Sequence, residues 1–269
     1  MSICPTIDFG SRQNSERPEA VQEAAELFLE HGCLLVKRAF GQDYIAQLHR
    51  AYVDTYYPYF QDREFPDALN VGAKRTQVTV NIEGPFNSPQ LYANDFIFPV
   101  LKLVLGEQLI LGGFGSVVSL PGAPDQHTHR DHPNIYELTE TEATEAWVDM
   151  LLPPYALNLI VPLVPLNATN GTTRLWLGSH LVAKSRTQQM PSADPVADLG
   201  DCVLVDYRLL HAGTANLSAN PRPILYNMYC RPWFRDSRNY RKQQRVRISH
   251  EEYMRVPAQF RHLLDWRQR

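Results

Sequence analysis

The chain lacks most of the features that assign a protein quickly. No run of about 18 or more uncharged apolar residues occurs in its 269 residues, which excludes an ordinary transmembrane helix. The opening MSICPTIDFGSRQ has no charged stretch leading into an apolar one, so it does not read as a secretory signal, and the expected location is the cytoplasm. Cysteine is scarce. Cys4, Cys33, Cys202 and Cys230 are widely spaced with no C-x-x-C pair, which argues against a disulfide framework or a cysteine zinc site; the last three lie in apolar runs and read as buried reduced thiols. An excess of one charge is missing too: 26 Lys and Arg against 29 Asp and Glu leave a net charge of −3, without the positive field of a general nucleic-acid binder. Repeats and low-complexity segments are absent.

What is present is enough apolar material, 44% of residues, for one full-sized core. PEAVQEAAELFLEH (residues 18 to 31) puts Val21, Ala24, Ala25, Phe28 and Leu29 on one stripe and predicts a helix stopped by Gly32. CLLVKRAF then reads as a strand, and further helices are predicted over 42–56 and over Pro89 to Leu105. After Gly106 the texture changes to short β-rich runs separated by Pro, Gly and Asn turns: LILGGFGSVVSL, ALNLIVPLVPL, TRLWL, DCVLVDY and RPILYNMYCRPW. No long helical pattern lies between them, so the reading is a mainly β protein with flanking α, a closed or two-sheet barrel backed by N-terminal helices. We expect a single domain over 1–269, with helical support at about 1–106, a barrel core at about 107–235 and a basic C-terminal extension at about 236–269. The extension holds Arg238, Arg241, Lys242, Arg245 and Arg247 and reads as a solvated or ion-paired face, because stacking aromatics are not interleaved through it.

PDQHTHRDHPN (Pro124 to Asn134) places three histidines and two aspartates in eleven residues. His129-Arg130-Asp131 is an H-x-D pair, and in extended chain residues two apart point to the same side, so both reach one metal. Two histidines and one carboxylate on one face of an octahedron are a common iron(II) site that leaves three positions open. His211, after the apolar run of GDCVLVDYRLLHAG, is the candidate third ligand; His127 is the competing one. H-x-D alone recurs by chance, and the discriminating residue is Arg222, eleven after His211. A hairpin through NLSANP returns it beside His211, where a guanidinium can grip a carboxylate bidentately. His132, before Pro133, reads as a supporting or surface residue, and Asp125 as a turn residue.

Together these blocks resemble the phytanoyl-CoA dioxygenase family of iron(II)- and 2-oxoglutarate-dependent oxygenases: Gln126-x-x-His129-x-Asp131, NGTTRLWLGSH (Asn170 to His180), GDCVLVDYRLLHAG (Gly200 to Gly213) and Arg222. The resemblance covers about 110–235 and implies a double-stranded β-helix, the jelly-roll barrel of cupin-like proteins. It implies that His129, Asp131 and His211 are catalytic iron ligands, that Arg222 binds the far carboxylate of 2-oxoglutarate, and that Gln126 and Thr173 contact this cosubstrate. Leu177 stands where the family has a proline before Gly-Ser-His, a change of loop shape and not of a ligand. A related halogenase subgroup has a small apolar residue at the carboxylate position, so Asp131 points to oxygenation. Iron(II), 2-oxoglutarate and O2 are the implied cofactors.

The expected partner is a small-molecule substrate, a free metabolite or natural-product intermediate, because no basic block outside the C-terminal region suits a bulky CoA nucleotide; a monomer or homodimer, with no nucleic acid and no membrane, completes the reading. NIYELTETEATEAWVDMLLPPY, from 134 onwards, reads either as a cover over the site with Tyr136 and Trp147 as contacts or as a surface helix with an acidic face. NVGAKRTQVTVNIEGPF, with Asn70, Lys74 and Arg75, reads as an outer-sheet hairpin or a substrate-facing one. The alternatives from other classes are a non-catalytic barrel that binds a metal or small molecule, and a cupin-like metal-dependent hydrolase or isomerase, neither of which needs Arg222.

Overall fold

The computed structural model describes residues 2–11, 17–132, 153–182, 187, 189–240 and 243–268. Its strands in chain order are β1 (Thr6–Asp8), β2 (Cys33–Lys37), β3 (Leu69–Asn70), β4 (Arg75–Thr79), β5 (Ile110–Ser119), β6 (Ala156–Pro162), β7 (Thr173–Trp176), β8 (Ser192–Ala193), β9 (Cys202–Asp206), β10 (His211–Gly213) and β11 (Arg222–Cys230). Among the described residues they form an eight-stranded sheet in the order β1-β2-β9-β6-β11-β5-β4-β3 and a three-stranded sheet in the order β10-β7-β8. Only β1 and β2 pair in parallel; the long central pairs β11–β5 and β11–β6 are antiparallel. The two sheets face each other as a jelly roll: Leu175 and Ala193 of the small one share an apolar cluster with Ile160, Val203, Val205 and Ile224 of the large one.

Period-two alternation decides what faces the interior. In β6, Leu157, Leu159 and Val161 point outward into the main core, where they meet helices α1 (Arg17–His31) and α2 (Gln42–Tyr56). Ile160 and Asn158 point the other way, Ile160 into the cluster between the sheets and Asn158 into the barrel cavity. Both helices fall where the apolar spacing predicts them.

The single helix expected from Pro89 to Leu105 is instead two, α3 (Pro89–Tyr92) and α4 (Ile97–Leu105). Asn94 breaks it: its Oδ1 accepts from the N–H groups of Phe96 and Ile97 at 2.9 and 3.2 Å while its Nδ2 donates to Ala39 O at 2.9 Å. A side chain that caps a new helix start competes with the old helix without disturbing the apolar periodicity, so the spacing runs through the break unmarked. The sheet also cuts across the division expected at residue 106, since β1 to β4 all belong to it. Nor does the chain leave the barrel after 236. Phe114 N–H donates to Arg245 O at 2.8 Å, Thr79 N–H to Gln243 Oε1 at 2.9 Å and Trp266 Nε1 to Leu111 O at 3.0 Å. Residues 134–152 of the 134–155 segment, Tyr136 and Trp147 among them, lie outside the described residues. All four cysteines are buried and free, and among the described residues no helix is long and apolar enough to cross a membrane.

Gly32 joins α1 to β2 with φ at +74°, and a Cβ built there would stand 2.5 Å from His180 Nδ1 and 2.6 Å from Leu209 Cδ1. Left-handed backbone and overpacking both oppose a side chain here, so Gly32→Ala is expected to cost about 2–4 kcal/mol. Chemical denaturation checks this; a loss under about 1 kcal/mol would show that the turn relaxes freely.

Candidate metal centre

The centre is built on a single pair of backbone hydrogen bonds. His129 N–H donates to His211 O at 2.9 Å and His211 N–H donates to His129 O at 2.8 Å, an antiparallel bridge outside the longer strands. Residues paired in this way project their side chains to the same side, and the two imidazole centroids are 4.4 Å apart. Asp131, two residues along, follows on that side with Oδ1 3.7 Å from His211 Nε2. One ligand atom from each of His129, Asp131 and His211 lies within 4.8 Å of the others.

Each imidazole is held in the tautomer that a metal requires. His129 Nδ1 lies 3.0 Å from His127 O and His211 Nδ1 lies 3.0 Å from Leu209 O. A carbonyl only accepts, so both Nδ1 atoms carry the hydrogen and both Nε2 lone pairs are free. Burial, and then the neighbouring His211, hold His129 below the ordinary histidine pKa, with Asp131 opposing them; the neutral, ligating form is favoured. His127 is exposed, its ring 5.2 Å from that of His129, and it stands outside the cluster of three. His132 packs its ring against Phe234 at 5.2 Å, and Asp125 Oδ1 accepts from Ala215 N–H at 2.7 Å.

The three side chains line a cavity of about 250 Å³. Arg222, first residue of β11 and 2% exposed, lines it too. Its NH1 donates to Thr172 O at 3.1 Å, its buried Nε has no partner, and burial pushes its pKa down to about 10. No carboxylate pairs with it among the described residues, so a desolvated cation faces the cavity without an anion. Thr173 and Gln126 share the lining. The Gln126 amide is already engaged, however: Oε1 accepts from Gly213 N–H at 2.8 Å and Nε2 donates to Val71 O at 2.5 Å. It ties the His211 strand to the β3–β4 hairpin, and Gly213 is what lets it close, since a Cβ there would meet Oε1 at 2.5 Å. Asn70 and Arg75 of that hairpin line the cavity, and Arg75 is also buried, holding Pro124 O and, at 2.8 Å, Thr214 O.

Four lining residues carried no usable sequence signal: Asn158, Tyr207, Asn239 and Tyr240. They come from three separate segments and meet only through sheet register and the return of the chain after β11. A fifth group sits behind the site. Arg130, between two candidate ligands, donates to Ser179 O at 2.7 Å, while Ser179 Oγ accepts from Leu210 N–H, next to His211, at 2.8 Å. One turn, Ser179–Leu181, thus holds both ligand-bearing segments. His180 anchors that turn by donating from Nε2 to Leu29 O of α1 at 3.0 Å. The Gly-Ser-His block acquires its physical role here.

A jelly-roll barrel with two histidines and one carboxylate gathered at a cavity defines a class, the mononuclear metal-binding barrels. Within it the chain belongs to the phytanoyl-CoA dioxygenase family, whose sequence model matches residues 28–224. It is 25% identical over 229 residues to the iron/alpha-ketoglutarate-dependent dioxygenase penM of Penicillium thymicola, covering 79% of this chain and 70% of that protein. It is 34% identical over a shorter stretch of 97 residues, 35% of this chain and 29% of the relative, to the iron/alpha-ketoglutarate-dependent dioxygenase ausU of Aspergillus calidoustus. Among solved structures, the epimerase SnoN in complex with Fe3+, alpha ketoglutarate and nogalamycin RO superposes with a TM-score of 0.60 at 16% identity, covering 80% of this chain and 84% of that one. HygX from Streptomyces hygroscopicus with nickel and 2-oxoglutarate bound gives 0.59 at 16% identity, covering 81% and 89%. At these identities the structural likeness is one of fold.

The histidine behind the site makes stability depend on pH. His180 is 1% exposed, and burial holds its pKa below the ordinary value. In the unfolded chain it takes a proton near pH 6.5, so below that pH the unfolded state binds more protons than the folded one. The stabilisation is full above the unfolded pKa and is lost as the pH falls through the folded one. The denaturation midpoint of the metal-free protein is expected to be level above about pH 7 and to decline towards pH 5, with a shallower decline in His180→Asn. A profile that is identical in the two proteins would assign the dependence elsewhere.

Proposed function

We propose that this protein is an iron(II)- and 2-oxoglutarate-dependent dioxygenase that oxidises, in the first place hydroxylates, an unactivated C–H bond of a small metabolite or natural-product intermediate. The observation that carries this reading is Arg222, a buried cation with an orphaned Nε and no anionic partner among the described residues, lining the same cavity as three convergent metal-ligand atoms. A hydrolase or isomerase metal site does not in itself require such a group; a dicarboxylate that must be held at both ends does.

The donor set fits iron(II): two neutral imidazoles and one carboxylate, with the imidazole tautomers fixed by backbone carbonyls. His129, Asp131 and His211 would hold the metal, and Arg222 with Thr173 would receive the far carboxylate of 2-oxoglutarate. When bound, the iron supplies the oxidising chemistry, driven by conversion of 2-oxoglutarate and O2 to succinate and CO2. The chain's own contribution is to orient and to exclude water. Val71, Val117 and Ile224 provide apolar wall, and Gln126, already locked to Gly213 and Val71, keeps the His211 strand and the β3–β4 hairpin together. Asp131 keeps a carboxylate at the position where a halide would need space, which supports oxygenation. For the substrate class, the support is the named company: SnoN and HygX are solved with nogalamycin RO and hygromycin B.

Anaerobic protein mixed with iron(II) and 2-oxoglutarate is expected to develop a visible charge-transfer absorption that His129→Ala and His211→Ala abolish. Arg222→Ala should keep iron binding and weaken 2-oxoglutarate binding by roughly 2–4 kcal/mol, about 30- to 1,000-fold in dissociation constant. Wild-type protein with no such band, and no succinate formed in air, would sink the reading.

A further inference from the structure

Asn158 is out of place by composition. It is 4% exposed in a strand, ALNLIVP, whose other described residues are apolar and buried. A buried amide in such a setting costs stability unless it is hydrogen-bonded. Asn158 directs its amide at one atom of the candidate metal centre: Nδ2 lies 2.7 Å from Asp131 Oδ2. An ionised carboxylate only accepts, so the nitrogen of the amide is the group that faces it, and the bond is charge-assisted. The other oxygen, Oδ1, is the one 3.7 Å from His211 Nε2. The main chain of the same residue is held separately, because Asn239 Nδ2 donates to Asp131 O at 3.1 Å and to Asp236 Oδ2 at 2.9 Å, and Tyr207 Oη donates to that same Asp236 oxygen at 3.1 Å. Backbone and carboxylate are thus fixed from two elements, the C-terminal return and β6, leaving Asp131 little freedom to rotate.

This matters because a carboxylate can give a metal one oxygen or two. With two histidines, one oxygen leaves three octahedral positions; two oxygens leave only two. A chelating cosubstrate and dioxygen together require three. We infer that Asn158 is a positioning residue that keeps Asp131 Oδ2 off the metal, so that Asp131 contributes one ligand atom and the third open position is preserved. The inference rests on the iron and 2-oxoglutarate reading above and assigns the residue a role in coordination geometry beyond filling space.

The test uses the full chain under anaerobic conditions and two variants, Asn158→Leu, which preserves volume, and Asn158→Ala. Three quantities are measured: the iron(II) dissociation constant, the 2-oxoglutarate dissociation constant from titration of the charge-transfer band, and the position and intensity of that band. Both variants are expected to weaken 2-oxoglutarate binding by about tenfold or more, to keep iron(II) binding within a factor of about three of wild type, and to shift the band. If Asn158→Leu fails to fold, Asn158→Ala carries the same measurements. Unchanged cosubstrate affinity and an unchanged band would overturn the inference, and so would iron and cosubstrate weakening in equal proportion together with a lowered melting temperature. A wild-type protein without the band would instead overturn the oxygenase reading itself, so the two failures are distinguishable.

Discussion

Two backbone hydrogen bonds between His129 and His211 carry more of this structure than their number suggests. The segment bearing the H-x-D pair is not part of a long strand; that bridge fastens it at the ligands, with Gln126 N–H on Gly213 O and His132 N–H on Tyr207 O on either side. Everything that gathers three ligand atoms follows from it. The bridge places two imidazoles on one side, alternation adds Asp131 to the same side, and β10 is held in turn by β7 across the register His211 to Leu175. Because a one-residue slip of the 124–132 segment would turn His129 and Asp131 away from His211, register has to be over-determined here. Three side chains do that work: Gln126 on Gly213, Ser179 on Leu210 and, from the other direction, Arg130 on Ser179.

The electrostatics of the cavity follow from what surrounds it. Arg75 and Arg222 are both buried; burial first, with Arg75 adding to it, holds the Arg222 pKa down, while burial lowers that of Arg75 against the opposing charge of Asp125, an exposed residue. Burying two like charges with so little compensation is unfavourable for a protein that never binds an anion. In a protein that does, the same arrangement becomes a source of affinity, since the cations are already desolvated and already oriented. The cost in stability is spread over the sheet core, where Tyr52, Phe114, Leu157, Leu204 and Tyr229 are each 1% exposed or less.

How much of this can be read from the residues depends on how local the determining interaction is. His129 and Asp131 are legible because alternation in extended chain is a two-residue rule. Arg222 is legible in outcome though not by the expected hairpin: β10 and β11 lie in different sheets, and the turn after His211 crosses from one to the other, so that both residues line one cavity. The break at Asn94 is invisible to periodicity because the apolar pattern continues through it, while the competing hydrogen bond reaches back to Ala39. Asn158 looks like an ordinary polar interruption of a strand; its meaning lies in register against an unrelated segment. Asn239 and Tyr240 fall in a stretch whose arginines dominate its composition, so the basic character of 236–269 masks two residues of the cavity wall. Residues whose job is set by partners far away in sequence are the ones that pattern reading loses.

The same distinction separates the frame of the candidate site from its wall. The bridge, the Ser179 turn and the Arg222 strand form a frame that is indifferent to what is oxidised; they fix the ligands relative to one another and to the anion site. Beside Val117, Asn158, Ile224 and Tyr226 of the central strands, wall comes from the β3–β4 hairpin, with Asn70 and Val71, and from the C-terminal return, with Asn239 and Tyr240. Neither lies on the central strands β5, β6 and β11, and each is tied to the ligand-bearing segments by one side chain, Gln126 for the hairpin and Asn239 for the return. On the proposed function these two elements would offer the substrate side chains away from the ligand frame, while Asn239 keeps the return on the Asp131 main chain. Through Asn239 one side chain thus joins the cavity wall to the backbone of a candidate ligand, so a displacement of the return would be felt at Asp131.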